Sequence, residues 1–282
     1  MTGLSVRRGV LSHLPRSLAL AGAGLCLALP AHAQTQEGEA QQDAEAQRGI
    51  HLETGLGASY FTGDYGQPGP DTTVLYAPLS ATLRAPNWRL EATVPFLQIR
   101  GPNNVAGADG TPVVVGEGAG PQSTRGGLGD VLLGGGFYLP RVQNLPLFDL
   151  SAKVKLPTAA ADLGTGRADY SGQLAAYQPV TPKFLLMASV GYQWLGSSDL
   201  YRLRSGPTGM VGFNYKATSL LDAGATLDFT SRISEGVDDQ LFVSPYLTWR
   251  VSRWVGITSY ALAGLTRSSP AGGGGIQLTF YR

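Results

Sequence analysis

Residues 148–157, Phe-Asp-Leu-Ser-Ala-Lys-Val-Lys-Leu-Pro, alternate strictly between apolar and polar side chains. The apolar set is Phe148, Leu150, Ala152, Val154 and Leu156, and the polar set is Asp149, Ser151, Lys153 and Lys155. Because successive side chains of a β-strand point to opposite faces, the stretch predicts a strand with one apolar and one charged face. Such a strand needs a different environment on each side, which limits the folds that it can join.

The N-terminus predicts a secretory signal peptide over residues 1–33. Arg7, Arg8 and Arg16 are followed by an apolar run at 18–29 and then by Ala-His-Ala at 31–33, so we expect the mature chain to start at Gln34. The apolar run is shorter than the roughly 20 residues that a transmembrane helix needs. The chain is therefore predicted to be exported through a cleaved signal peptide.

The composition of the predicted mature chain excludes several kinds of site. Cleavage would remove Cys26, the only cysteine, and three of the 21 Lys and Arg residues, which leaves a small net negative charge. We therefore expect no disulfide framework, no thiolate metal site and no basic surface for nucleic acid. The 39 glycines are compatible with a membrane β-barrel, in which alternation replaces long apolar runs.

The mature chain divides into two parts. Residues 34–48 are polar and low in complexity, and they predict a flexible periplasmic leader. Residues 49–282 carry the alternating pattern throughout and predict one barrel domain. The twelve predicted strands are 50–62, 74–84, 88–97, 128–139, 148–157, 168–179, 184–195, 208–215, 221–230, 241–251, 255–265 and 274–281.

The predicted connections alternate in length. Those after the odd-numbered strands are longer and rich in Gly, Asp and Ser, the longest being 99–125, whereas most of the others are tight turns. The connection at 140–146 fits this pattern least well. Long external loops and short periplasmic turns are typical of outer-membrane barrels with both termini in the periplasm.

Aromatic residues on the apolar faces collect near the two ends of the strands, as they do at membrane interfaces. The periplasmic group is Trp88, Phe137, Phe148, Phe213, Tyr215, Trp249 and Phe280, and the outer group is Tyr60, Phe96, Tyr170, Tyr192, Trp194 and Phe229. A soluble β-sandwich or lipocalin-like barrel also alternates but explains neither girdle. We therefore predict an all-β fold: a closed, transmembrane, antiparallel up-and-down β-barrel of about twelve strands in a bacterial outer membrane. Its expected partners are outer-membrane lipid and, through the alternating last strand, the barrel-assembly machinery.

The polar faces of the strands supply the candidate lumen residues. These are Glu53, Arg89, Glu91, Asp130, Asp149, Lys153, Lys155, Asp169, Asp222, Asp228 and Arg250, together with His51. One interpretation is a salt-bridged network that fills a narrow barrel. The other is that Lys153, Lys155 and Arg89 line a pore and set its preference for anions or polar solutes.

The sequence offers little for catalysis. His51 is the only histidine of the predicted mature chain, and it lies at the periplasmic end, away from outer-leaflet lipid. Asp222 and Asp228 are about 20 Å apart along one strand, too far to act as a pair. The Gly55 and Gly57 positions and the glycines of 163–166 do not lie between a strand and a helix, so they do not form a phosphate loop. We predict no catalytic residues, no cofactor and no metal.

Three short motifs carry a resemblance to a known family. They are Gly-Leu-Gly-Asp at 127–130, Lys-Leu-Pro-Thr at 155–158, and Leu-Gly-Thr-Gly at 163–166 followed by Asp169-Tyr170, with Pro95 at the end of the third strand. With them the chain resembles the outer-membrane transporter family named for the meta-pathway of phenol degradation, most clearly over residues 88–180. The resemblance implies a channel or transporter for small, often hydrophobic or aromatic, compounds.

The predicted function is a passive outer-membrane channel or transporter that passes small-molecule solutes through a polar lumen. A closed structural or ligand-binding barrel with external binding loops is the alternative. An outer-membrane hydrolase, dependent on His51, is a third possibility from another class.

Overall fold

The computed structural model describes residues 49–66, 70–102, 105–106, 113–114, 121–140, 142–143, 145–160, 163–197, 202–234 and 237–282. The predicted signal peptide and the predicted leader at 34–48 lie outside the described residues. No helix in the described part of the chain is long and apolar enough to cross a membrane.

The described residues form fifteen β-segments. They are β1 (His51–Gly63), β2 (Thr72–Arg84), β3 (Trp88–Pro102), β4 (Val105–Ala106), β5 (Val113–Val114), β6 (Gln122–Leu128), β7 (Leu132–Tyr138), β8 (Leu147–Lys155), β9 (Asp169–Thr181), β10 (Phe184–Trp194), β11 (Gly206–Lys216), β12 (Leu221–Thr230), β13 (Gln240–Ser252), β14 (Val255–Gly264) and β15 (Gly272–Tyr281). The β4–β5 pair is a small separate hairpin between β3 and β6.

Every other segment belongs to one antiparallel sheet that closes on itself. Each strand pairs with its neighbours in the chain, and β1 pairs with β15 from Glu53↔Tyr281 to Thr62↔Gly272. The segments β6 and β7 both pair with β3 and together form the fourth wall strand. The result is a closed barrel of twelve strands, as the alternation predicts.

The fourth wall strand is broken by a bulge that the sequence pattern did not predict. Two residues of β3, Val94 and Pro95, lie opposite the three residues 129–131, because the register changes between Phe96↔Leu128 and Thr93↔Leu132. Proline has no N–H to donate, and here the Pro95 carbonyl accepts a hydrogen bond from the Gly129 N–H at 2.8 Å. Above the bulge, β6 has a strand neighbour on one side only within the part of the chain that the structure describes.

The extent of the longest connection, predicted as 99–125, was wrong at both ends. The strand β3 continues to Pro102, and β6 begins at Gln122. Leu97 and Ile99 continue the alternation of β3, so that their side chains point inward and are fully buried inside the barrel. The strand therefore extends past its predicted end.

The side chains divide as the alternation predicts. The outer face carries exposed apolar and aromatic residues, including Leu79, Leu150, Val190 and Leu247, whereas Glu53, Arg89, Asp130 and Asp149 are buried on the inner face. Of the predicted girdles, Phe137, Phe213, Tyr215, Trp249 and Phe280 are exposed at the end predicted to be periplasmic, and Tyr60, Phe96, Tyr170, Tyr192 and Trp194 at the end predicted to be external; these two names are kept below for the two ends. The apolar face therefore points outward and the polar face inward.

Candidate functional site: the barrel interior

A network of buried ion pairs covers one wall of the interior, from β1 to β8. The guanidinium of Arg84 donates to both carboxylate oxygens of Glu53, at 2.8 and 3.1 Å, and to the Tyr138 hydroxyl at 2.5 Å. The Arg89 guanidinium donates to Glu91 at 2.5 Å and to both oxygens of Asp149 at 2.8 and 2.9 Å. Because each charge is paired and hydrogen-bonded, its burial is compensated.

Glycines of β7 make this network possible. The register places Gly136 of β7 between Arg89 of β3 and the facing strand β8, and a Cβ at Gly136 would collide with the Arg89 guanidinium. Without a side chain there, Arg89 crosses over β7 to reach Asp149 on β8. In the same way Glu91 and Lys153 approach each other over Gly134, with 4.0 Å between their charged atoms.

A second group of charges lies nearer the external end. The ammonium of Lys155 is 2.6 Å from Asp169 and 3.4 Å from Asp130, and it donates to the Thr165 hydroxyl at 3.3 Å. Asp130 also accepts the Ala159 N–H at 2.8 Å. These contacts join β8 and β9 to the bulge of the fourth wall strand.

The three motifs that carry the family resemblance meet at this point. Thr158 accepts the Val131 N–H at 2.8 Å, next to the Asp130 contact with Ala159. Leu163 is fully buried in the interior, and its Cδ1 lies 3.5 Å from the position that a Cβ on Gly127 would occupy. The motifs thus anchor residues 156–160 against the bulge and direct Leu163 of the same external loop into the barrel.

The interior also contains two apolar clusters, which the sequence pattern did not reveal. The upper cluster, at the external end, is Phe61, Val74, Tyr76, Leu97, Ile99, Leu163 and Leu262. The lower cluster begins beside the ion pairs, where Ala175 is in register with Asp149, and it consists of Ala175, Tyr177, Leu185, Met187, Met210 and Tyr246. Tyr260 packs against both clusters, and its hydroxyl is 2.7 Å from the Ser59 hydroxyl. Tyr260 therefore connects the upper cluster with the lower cluster.

External loops pack against each other above the upper cluster. Tyr65, in the loop after β1, is buried against Val237 of the loop after β12, and the Asp238 N–H donates to Ser268 at 2.7 Å. Burial raises the pKa of the Tyr65 hydroxyl, and the nearby Asp71 raises it further, so the hydroxyl stays protonated. These contacts hold three external loops together on the β1 side of the barrel.

The structure brings most of the candidate residues into the two charged groups described above. Glu53, Arg89, Glu91, Asp149 and Lys153 belong to the larger network, and Asp130, Lys155 and Asp169 to the smaller one. His51 lies at the periplasmic end, with its Nε2 atom 3.5 Å from Glu53.

The remaining candidates lie on the opposite wall. Asp222 of β12 is buried opposite Lys216 of β11, Arg250 lies on β13, and Asp228 lies closer to the external end of β12.

Sequence reasoning missed one member of the network, Arg84. The available signal was its place in the alternation of the second strand, where every second side chain, including that of Arg84, is expected to point inward. Within the described residues, no group of three or more His, Cys, Asp or Glu side chains is arranged to hold a metal ion.

A closed twelve-stranded barrel with an apolar outer surface, two aromatic girdles and charges inside is a transmembrane β-barrel of the outer-membrane type. Residues 32–282 match the model of the family described as "Putative MetA-pathway of phenol degradation", and the chain belongs to this family. No curated protein sequence matches the chain.

Solved structures share the fold. An outer membrane channel from Pseudomonas putida F1 is similar with a TM-score of 0.64 and 11% identity, over 82% of this chain and 95% of the channel. The NanC porin is similar with a TM-score of 0.51 and 6% identity, over 81% of this chain and 99% of the porin. At these identities the comparison establishes the barrel architecture.

Proposed function

We propose that the protein is a passive outer-membrane channel for small apolar or aromatic molecules. The observation that carries this proposal is the apolar lining of the interior, in which Tyr260 connects the upper and lower clusters. A solute with an aromatic ring can exchange contacts with these side chains over the length of the barrel. The outer-membrane location and the cleaved signal peptide belong to the same proposal.

The interior disfavours hydrated ions. The upper cluster is fully buried, and an ion that crosses it loses hydration without gaining polar partners, which costs several kcal/mol. The charges of the ion-pair network are already paired with each other, so they offer few partners to a permeating ion. The proposed lumen keeps the expected polar residues and has the two apolar clusters beside them.

The charged residues have a structural role in this proposal. Arg89 and Asp149 join β3 to β8 across β7, and Lys155 joins β8 to β9 and to the bulge. Lys153 is the most accessible base of the network, with a side-chain exposure of 19%, and it remains our candidate for contact with a passing polar group.

Solute flux into vesicles tests the proposal. The purified chain is reconstituted into vesicles whose outer leaflet is lipopolysaccharide, because that leaflet slows apolar solutes. We expect the protein to increase the influx of radiolabelled phenol or toluene many-fold over protein-free vesicles and to increase glucose influx much less. Inserted protein that speeds neither solute would refute the channel.

A closed binding barrel is the second candidate, because the side chains of the upper cluster are almost completely buried. In that case, truncation of Leu163 would leave the flux unchanged. The hydrolase hypothesis rests on His51 alone and predicts lipid turnover that is lost in His51→Ala. We propose instead that the protein is not an enzyme.

A further inference from the structure

Asp228 differs from the other interior carboxylates in its partners. Glu53, Glu91, Asp130, Asp149 and Asp169 each lie within 4.0 Å of an Arg or Lys side chain. Asp222 lies opposite Lys216 in the β11–β12 ladder. Among the described residues, Asp228 has no cationic partner and accepts one hydrogen bond, from the Thr226 hydroxyl at 2.6 Å.

The neighbours of Asp228 are apolar on both sides. Antiparallel pairing places Met210 of β11 and Phe242 of β13 directly opposite it, so their Cβ atoms lie about 5 Å from that of Asp228. Met210 belongs to the lower cluster, and Phe242 packs against the upper cluster. The carboxylate therefore lies where the two apolar clusters adjoin.

Two basic residues of this wall, Lys216 and Arg250, lie too far away to neutralise it. Lys216 pairs in register with Asp222, six residues from Asp228 along β12, which is a distance of about 20 Å. Arg250 lies near the periplasmic end of β13, eight residues beyond Phe242. An ionised carboxylate in such surroundings gains most from a cation that arrives from outside.

We propose that Asp228, Phe242 and Met210 form a binding site for the ammonium group of an amphipathic cation with an aromatic or apolar body. The carboxylate would face the positive charge, the Phe242 ring would add a cation–π contact, and the polarisable Met210 thioether would pack against the body. The site rests on the proposed channel function, since it gives one position on the solute path a preference for positive charge.

Equilibrium binding of a permanently charged probe tests the site. The purified full barrel in lipid nanodiscs is dialysed against radiolabelled benzyltrimethylammonium, and benzenesulfonate serves as the probe of opposite charge. We expect saturable binding of the cation and at least tenfold weaker binding of the anion. Equal binding of both probes would refute the site.

Variants locate the binding. Asp228→Asn should weaken benzyltrimethylammonium binding about tenfold, the loss of one charge-assisted contact. Phe242→Leu, which keeps an apolar side chain, should weaken it a few-fold. Asp71→Asn removes the same charge from an exposed external loop and should change nothing. Unchanged binding in Asp228→Asn would overturn the proposal.

Two further measurements separate the possible failures. Asp228→Glu keeps the charge and should retain binding. If Asp228→Asn does not fold, loss of binding in a folded Asp228→Glu barrel would refute the site instead. Flux of neutral phenol is measured on the same preparations. A barrel that passes phenol but has no preference for the cation refutes this site and leaves the channel function standing.

Discussion

Truncation of Leu163 is the sharpest test of how the barrel is closed. Leu163 is fully buried among the inward side chains of the upper cluster, yet it belongs to an external loop. Replacing a fully buried Leu by Ala costs about 2–5 kcal/mol. If the substitution weakens only the docking of the loop inside the barrel, the ratio of undocked to docked loop rises by roughly 30-fold or more, since 1.4 kcal/mol corresponds to a factor of ten.

Single-channel conductance in planar bilayers measures the effect. We expect Leu163→Ala to open more often and to pass more current than the unmodified chain, because the cluster loses the side chain that the loop inserts. Leu265→Ala is the matched control, since it makes the same change at an exposed external position. Equal conductance of Leu163→Ala and the unmodified chain would show that the loop does not close the barrel.

Three other predictions concern the walls. Arg89→Met leaves Asp149 buried without its partner and should lower the free energy of unfolding in urea by about 3–5 kcal/mol, and the double variant Arg89→Met, Asp149→Leu should recover part of this loss. Gly136→Ala should cost roughly 1–3 kcal/mol in the same assay because its Cβ meets the Arg89 guanidinium, whereas Gly135→Ala, whose nearest contacts are at 3.4 Å, should be tolerated. On the lipid face, Leu247→Arg at mid-strand should destabilise the folded barrel in vesicles by about 2–4 kcal/mol, and Val251→Arg near the interface by about 0–1 kcal/mol. An equal cost at both positions would contradict the proposed position of the membrane.

The sequence predicted the barrel well because each strand has an apolar outer face and a largely polar inner face. Alternation at positions such as Leu247 and Trp249 places an exposed apolar side chain on the outer face at every second residue, and a closed barrel is the fold that satisfies all strands at once. The loop asymmetry and the aromatic girdles added the orientation.

The interior was harder to predict because the alternation shows which side chains point inward but not which other side chains they contact. Asp149 was placed among the lumen candidates without a named partner, and in the structure it binds Arg89 across a glycine of β7. The register that allows this is set by the bulge opposite Pro95, which depends on tertiary pairing. The apolar lining was missed because Leu97 and Ile99 looked like the end of a strand, and Leu163 lies in a loop that carries no periodicity.

The one-sided pairing of β6 bears on the thickness of the surrounding bilayer. A strand edge in hydrocarbon leaves N–H and C=O groups without partners, and each costs several kcal/mol. We therefore expect the hydrocarbon boundary on this side of the barrel to lie at the level of the bulge, near the exposed ring of Phe96, and β6 itself to lie in the headgroup region or in water. On the opposite side, where β12 and β13 pair up to Thr230↔Gln240, no such limit applies. The apolar belt is thus uneven around the circumference, and the membrane is expected to thin locally beside the fourth wall strand.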